Sequence, residues 1–76
     1  MSNLSELEIG KKGIVIKVGG EGALRRRLLD MGITPNTLVM VRKVAPLGDP
    51  IEISLRGYGL AIRQDDARKI EVEELD

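Results

Sequence analysis

Three groups of residues in this 76-residue chain have types and spacings that could do chemistry. Gly19-Gly20-Glu21-Gly22 stands between an apolar run and a helical pattern, where glycines let backbone N–H groups close on a phosphate at a helix N-terminus. Asp65-Asp66, with Asp49 elsewhere, supplies carboxylates for acid–base work or for a cation. Arg25-Arg26-Arg27 presents guanidinium groups to phosphates or carboxylates.

The surrounding residues argue against each chemistry in turn. A phosphate loop would end in Gly-Lys-Ser/Thr, whereas Ala23-Leu24 follow Gly22. A dinucleotide fingerprint starting at Gly20 wants a small residue where Arg25 stands, and the chain has no room for repeated βαβ units. The glycines are expected to form a plain connection. Asp65 and Asp66 are adjacent and suit a helix start, Asp49 lies in a turn, and no nucleophile has an evident base. No enzyme is expected. Without cysteine or histidine, a metal ion would find only carboxylates, carbonyls and water, and no spacing gathers the carboxylates. Neither a metal site nor a cofactor is expected. The three arginines point in successive directions around a helix and form no stripe, so a solvated face is the plainer reading.

Composition narrows the classes further. Twelve basic residues balance twelve acidic ones, so no overall field draws the chain to nucleic acid or anionic lipid. Locally the charges segregate, with the arginines together and Glu71, Glu73, Glu74 and Asp76 forming an acidic tail. Tyr58 is the only aromatic residue, which removes both an aromatic groove for proline-rich ligands and a stacking platform for single strands. No apolar run approaches the roughly 18 residues of a membrane span, and Met1-Ser2-Asn3 does not open a signal peptide. Absence of cysteine is compatible with a cytosolic home, and no direct membrane insertion is expected.

The elements that must position these residues are one helix and several short strands. Leu24, Leu28 and Met31 recur at i, i+4 and i+7, with Leu29 widening the stripe, so a helix buries this face while Arg25, Arg26 and Asp30 meet water. Gly32 fits the left-handed position past the helix end, with Ile33 packing back on Leu28. Pro35 and Asn36 suit the second and third positions of a type II turn, and a strand leaves at Thr37. A helix this short is marginal alone in water and must dock on a sheet.

Ser2 to Glu8 suggests one helical turn laying Leu4, Leu7 and Ile9 on the core. Ile14-Val15-Ile16-Lys17-Val18 reads as a strand, Ile14, Ile16 and Val18 alternating along one face. In the strand from Thr37 to Val44, either Val39 and Val41 or Leu38 and Met40 face inward; the first choice leaves Leu38 and Met40 as an exposed apolar pair. A turn cluster follows from Ala45 to Pro50 with Leu47 at its tip, then Ile51, Ile53 and Leu55 alternate inward. Gly57-Tyr58-Gly59 is predicted to turn the chain into Leu60-Ala61-Ile62. Gln64 to Lys69 makes a helical turn, with Asp65 capping or loading its N-terminus and Lys69 loading its C-terminus, and Ile70-Glu71-Val72 is a short last strand.

Such an order predicts a mainly β fold: a small SH3-like barrel of about five strands with one short helix inserted between the first two, all in a single domain over 1–76. Leu24 to Thr37, then Ala45-Pro46-Leu47-Gly48-Asp49-Pro50-Ile51, then Arg56-Gly57-Tyr58-Gly59-Leu60-Ala61-Ile62-Arg63, resemble the FeoA family of ferrous iron transport accessory proteins. The resemblance runs from Leu4 to Val72. The family is similar to the SH3-like C-terminal domain of iron-dependent repressors of the DtxR type, which makes that domain the nearest alternative, and a short chain beginning at Met1 is expected to be the stand-alone protein. Asn36 stands where the family often has Gly, a position Asn can still adopt. Leu38 and Met40 stand at outward positions that are more usually polar, which favours self-association or partner docking there.

The resemblance implies a non-enzymatic cytoplasmic adaptor for FeoB, the membrane transporter of ferrous iron that carries a GTP-binding domain, acting on assembly, nucleotide turnover or transport. The expected partner-binding residues are Arg25, Arg26, Leu38, Met40 and Leu47, apolar anchors giving affinity and arginines setting orientation. Alternatives are an SH3-like regulatory module and a weak RNA- or ribosome-binding barrel, the latter marked by steep salt dependence.

Overall fold

The computed structural model describes residues 2–75, so Met1 and the last acidic residue, Asp76, lie outside the described residues. In chain order the elements are β1 (Ser2–Asn3), a 3-10 turn (Leu4–Glu6), β2 (Lys12–Val18), α1 (Gly22–Asp30), β3 (Leu38–Val44), β4 (Ile51–Leu55), β5 (Tyr58–Ile62), α2 (Gln64–Ala67) and β6 (Ile70–Leu75). The strands form one antiparallel sheet in the order β1-β6-β2-β3-β4-β5. The five longer strands are those of the predicted barrel. The two-residue β1 is an addition that pairs Ser2 with Val72 and Asn3 with Glu71.

The inner side of the sheet, together with Leu4, Leu7, Leu28, Ile33 and Ala67, makes one buried cluster. Helix α1 contributes Leu28 fully and Leu24, Leu29 and Met31 in part, as its periodicity requires. Its end is a complete Schellman motif: Gly32 has φ +97°, its N–H donates to Leu29 O at 3.0 Å, and the Ile33 N–H donates to Leu28 O at 3.1 Å. Asn36 takes φ +72° in the following turn, closed by Thr37 N–H to Thr34 O at 3.1 Å.

Four expectations about local structure need correction. In β2, Val15 and Val18 are buried while Ile16 is 37% exposed and Ile14 half-buried, so of the face read from alternation only Val18 turns inward. The cause is a bulge against β6, where Val15 pairs with Val72 and Lys17 with Glu71; Ile16 is the extra residue and the phase shifts by one. Ile9 is 60% exposed, because the 3-10 turn ends at Glu6 and lays only Leu4 and Leu7 on the core. The β4–β5 turn is Arg56-Gly57, both residues at positive φ (+50° and +86°), with Leu55 opposite Tyr58. A two-residue primed turn matches the twist of its strands better than one centred on Tyr58. Strand β6 runs on through Glu73 and Glu74 to Leu75, since β2 offers pairing as far as Lys12.

Of the two roles expected of Asp65, the structure gives it the second: it lies in the acidic first turn of α2 but does not cap it. The residue before the helix is Arg63, and the Gln64 N–H is instead satisfied by Asp49 Oδ1 at 2.9 Å, while Gln64 Nε2 donates to Gly48 O at 2.8 Å. Asp65 pairs with Arg68, one turn on. The cap of α2 is therefore delivered from the β3–β4 loop, fifteen residues earlier in the chain. Asp49→Ala should lose about 1 kcal/mol of stability in urea unfolding, the ordinary value of a helix cap. Asp65→Ala should lose less than half as much, since that residue is exposed and makes only an ion pair within its own turn.

Candidate partner-docking site

The β3 register settles which side chains face outward: Val39 and Val41 are fully buried, Leu38 is 46% exposed and Met40 is partly exposed. Sheet pairing then surrounds these two with particular neighbours. Leu38 lies opposite Ile14 of β2, Met40 lies between Lys12 of β2 and Ser54 of β4, and Lys12 lies opposite Leu75 of β6. Because alternate residues share a face, Ile14, Leu38, Met40 and Leu75 make an apolar patch around the Lys12 stem on the outer side. Beside it lies a shallow depression of about 300 Å³ lined by Lys12, Leu38, Met40, Ser54, Arg56 and Gly57 among others.

The patch has a fixed base. One guanidinium nitrogen of Arg56, Nη2, donates to both Thr34 Oγ1 and Thr37 Oγ1 at 2.9 Å, and the two hydroxyls lie 2.8 Å apart. These bonds hold the turn that leads directly into Leu38. The Tyr58 hydroxyl donates to the Met31 carbonyl, tying β5 to the end of α1. Outward side chains on such a support lose little further freedom when a partner covers them.

The remaining predicted residues form a second group. Arg25 and Arg26 are exposed on α1, with Arg25 Nε donating to Val18 O at 3.2 Å. The next residue, Arg27, pairs with Asp66 of α2 at 3.2 Å, and α2 holds the β3–β4 loop through Gln64. That loop carries Leu47, which is 97% exposed. Helix α1, helix α2 and the Leu47 loop are thus linked in series, whereas Leu38 and Met40 belong to the sheet face with Ile14.

Acidic residues considered for chemistry have structural partners: Asp49 the Gln64 amide, Asp65 Arg68, and Asp66 Arg27. Among the described residues no three acidic side chains converge in a way that could hold a metal ion, and no helix is long and apolar enough to cross a membrane. The glycine connection is anchored by backbone, the Gly19 N–H donating to Lys69 O at 2.6 Å.

Comparison with known proteins places this arrangement. The family model of the FeoA domain matches residues 2–74. The chain belongs to the FeoA family. A FeoA-like protein from Clostridium acetobutylicum, solved by NMR, is 43% identical and superposes with a TM-score of 0.90, covering 97% of this chain and 86% of that one. The zinc complex of FeoA from Stenotrophomonas maltophilia, described as a procaryotic SH3 domain protein, is 25% identical with a TM-score of 0.84, covering 96% and 91%. The fold is accordingly SH3-like. A fusion protein of Porphyromonas gingivalis, combining Fe(2+) transport protein A with the Fe(2+) transporter FeoB, is 40% identical over 70 residues. Those residues are 92% of this chain and 8% of the fusion protein.

Sequence reasoning missed Ile14 and Leu75 as members of the apolar face. Leu75 is hidden among the acidic residues Glu73, Glu74 and Asp76, which read as a charged tail beyond the last strand. Ile14 was hidden by the β2 bulge, for which three consecutive β-branched residues, Ile14-Val15-Ile16, leave the phase undetermined.

Proposed function

We propose that this chain is a non-enzymatic accessory module of ferrous iron uptake that docks on the cytoplasmic part of a FeoB-type transporter and modulates it. The observation that carries the reading is the Porphyromonas gingivalis relative, in which a segment like this chain and FeoB are parts of one polypeptide. Covalent fusion raises the local concentration of one module at the other, and is productive where the two work in contact. The apolar face of Ile14, Leu38, Met40 and Leu75 supplies the area that gives affinity, on a base held by Arg56. Arg25, Arg26 and Leu47 form the second contact, where the guanidinium groups steer an acidic patch of the transporter.

An NMR titration of the labelled chain with the cytoplasmic part of FeoB, with and without GTP, tests this. Shifts should cluster at Ile14, Leu38 and Met40, with a second set on α1 and around Leu47. Arg26→Glu combined with Leu47→Ala should weaken binding about tenfold, mostly through a slower and less salt-dependent association. A titration that moves no resonance removes the docking proposal. Unchanged binding by the folded double variant removes the second contact.

A further inference from the structure

The two ends of the sheet differ in how they are protected. At one end β1 covers Glu71 and Val72 of β6, and the next residues along that strand, Glu73 and Glu74, are charged. At the other end β5, Tyr58-Gly59-Leu60-Ala61-Ile62, carries no charge, no proline and no bulge, the devices by which sheet edges are usually blunted.

Pairing with β4 determines which backbone groups that edge presents. The two-residue turn makes Leu55 and Tyr58 a hydrogen-bonded pair, and so, by alternation, are Ile53 with Leu60 and Ile51 with Ile62. The N–H and C=O groups of Gly59 and Ala61 therefore point away from the sheet. Neither residue has a hydrogen-bond partner on that side among the described residues, and both are exposed. Their outward side chains are a hydrogen and a methyl, small enough to let another backbone approach, with the Arg42 guanidinium lying against the outward face of Gly59.

We propose that β5 pairs antiparallel with β5 of a second copy about a two-fold axis at Leu60. The spacing is self-complementary. Placing Leu60 opposite Leu60 of the second copy sets Gly59 opposite Ala61 in both directions, which gives four backbone hydrogen bonds from the four N–H and four C=O groups now facing water. Tyr58 then lies opposite Ile62, and no like charges meet at any of the five pairs. Head-to-tail addition of β5 to β6 of another copy is opposed by β1 and the two glutamates, so the arrangement closes as a dimer instead of growing into a filament. This surface is separate from the sheet face and arginine contacts proposed for the transporter, and its test does not depend on them.

Sedimentation of the intact chain over a dilution series, with amide exchange read by NMR at each concentration, tests the pairing. The expected result is a reversible dimer whose formation slows exchange at Gly59 and Ala61 while leaving the already bonded Leu60 amide unchanged. Ala61→Pro removes two of the four hydrogen bonds and should weaken the dimer about tenfold or more. As the native chain has no cysteine, Leu60→Cys gives an independent reading. Residues opposite each other in a non-hydrogen-bonded pair suit a disulfide, so it should cross-link faster under mild oxidation than the more exposed Leu47→Cys. A chain that stays monomeric at millimolar concentration overturns the proposal. So does a dimer in which Gly59 and Ala61 exchange as fast as in the monomer, or protection of these amides only by an added transporter fragment.

Discussion

Replacing Gly32 by alanine is expected to destabilise the fold by about 3 kcal/mol, composed of left-handed backbone strain of about 1–2 kcal/mol and the disturbance of one hydrogen bond. Gly32 has φ +97°, and a Cβ built there would stand 2.6 Å from the Tyr58 hydroxyl oxygen, inside contact distance. That hydroxyl donates to Met31 O, so it cannot retreat without breaking the tie between β5 and the end of α1. A domain of this size is expected to have about 4–11 kcal/mol of stability in all, so the loss is a large fraction. Urea unfolding should show a lower midpoint at unchanged slope. Tyr58→Phe alone should cost about 1 kcal/mol. Combined with Gly32→Ala it should cost less than the sum, because removing the hydroxyl also removes the collision. Strict additivity would mean that the strain at Gly32 is purely backbone and that the hydroxyl yields freely.

Much of this could be read from the chain because local and tertiary demands agree in it. The Leu24, Leu28 and Met31 stripe, the Gly32 stop and the Asn36 turn each have a local cause that also serves the core. The alternation of Ile51, Ile53 and Leu55 left no choice of face. Where the reading failed, the deciding interaction was distant in sequence. Ile14 and Ile16 turn outward because β6 imposes a bulge on β2, and β6 lies more than fifty residues away. The cap of α2 comes from Asp49, which a scan for capping residues next to the helix passes over. For the site, residue types pointed to Leu38 and Met40 as anomalous, yet only the sheet pairing assigns them Ile14, Lys12 and Leu75 as neighbours. The arginines were legible as exposed, but the separate engagement of Arg27 by Asp66 depends on how α1 and α2 meet.

That pairing makes a double change at the sheet face the most informative one for function. Leu38→Glu with Met40→Glu should reduce binding to the cytoplasmic part of FeoB about thousandfold or more, since anchors at the centre of an interface carry about 2 kcal/mol or more each, about 1.4 kcal/mol is tenfold in affinity, and a buried unpaired carboxylate adds to the loss. Both positions point outward in the isolated chain, and a glutamate at position 40 would lie opposite Lys12, so unfolding should shift by less than about 1 kcal/mol. The separation of the two readouts is what gives the experiment its force. A variant that folds normally and fails to bind assigns the outer face of β2 and β3 to the transporter. One that folds and binds normally removes the sheet face from the proposal and leaves Arg25, Arg26 and Leu47 to carry docking alone. Raising the salt distinguishes the two contacts further. An apolar face keeps most of its affinity as ions are added, whereas binding through the exposed arginines weakens as the Debye length falls toward about 3 Å at 1 M.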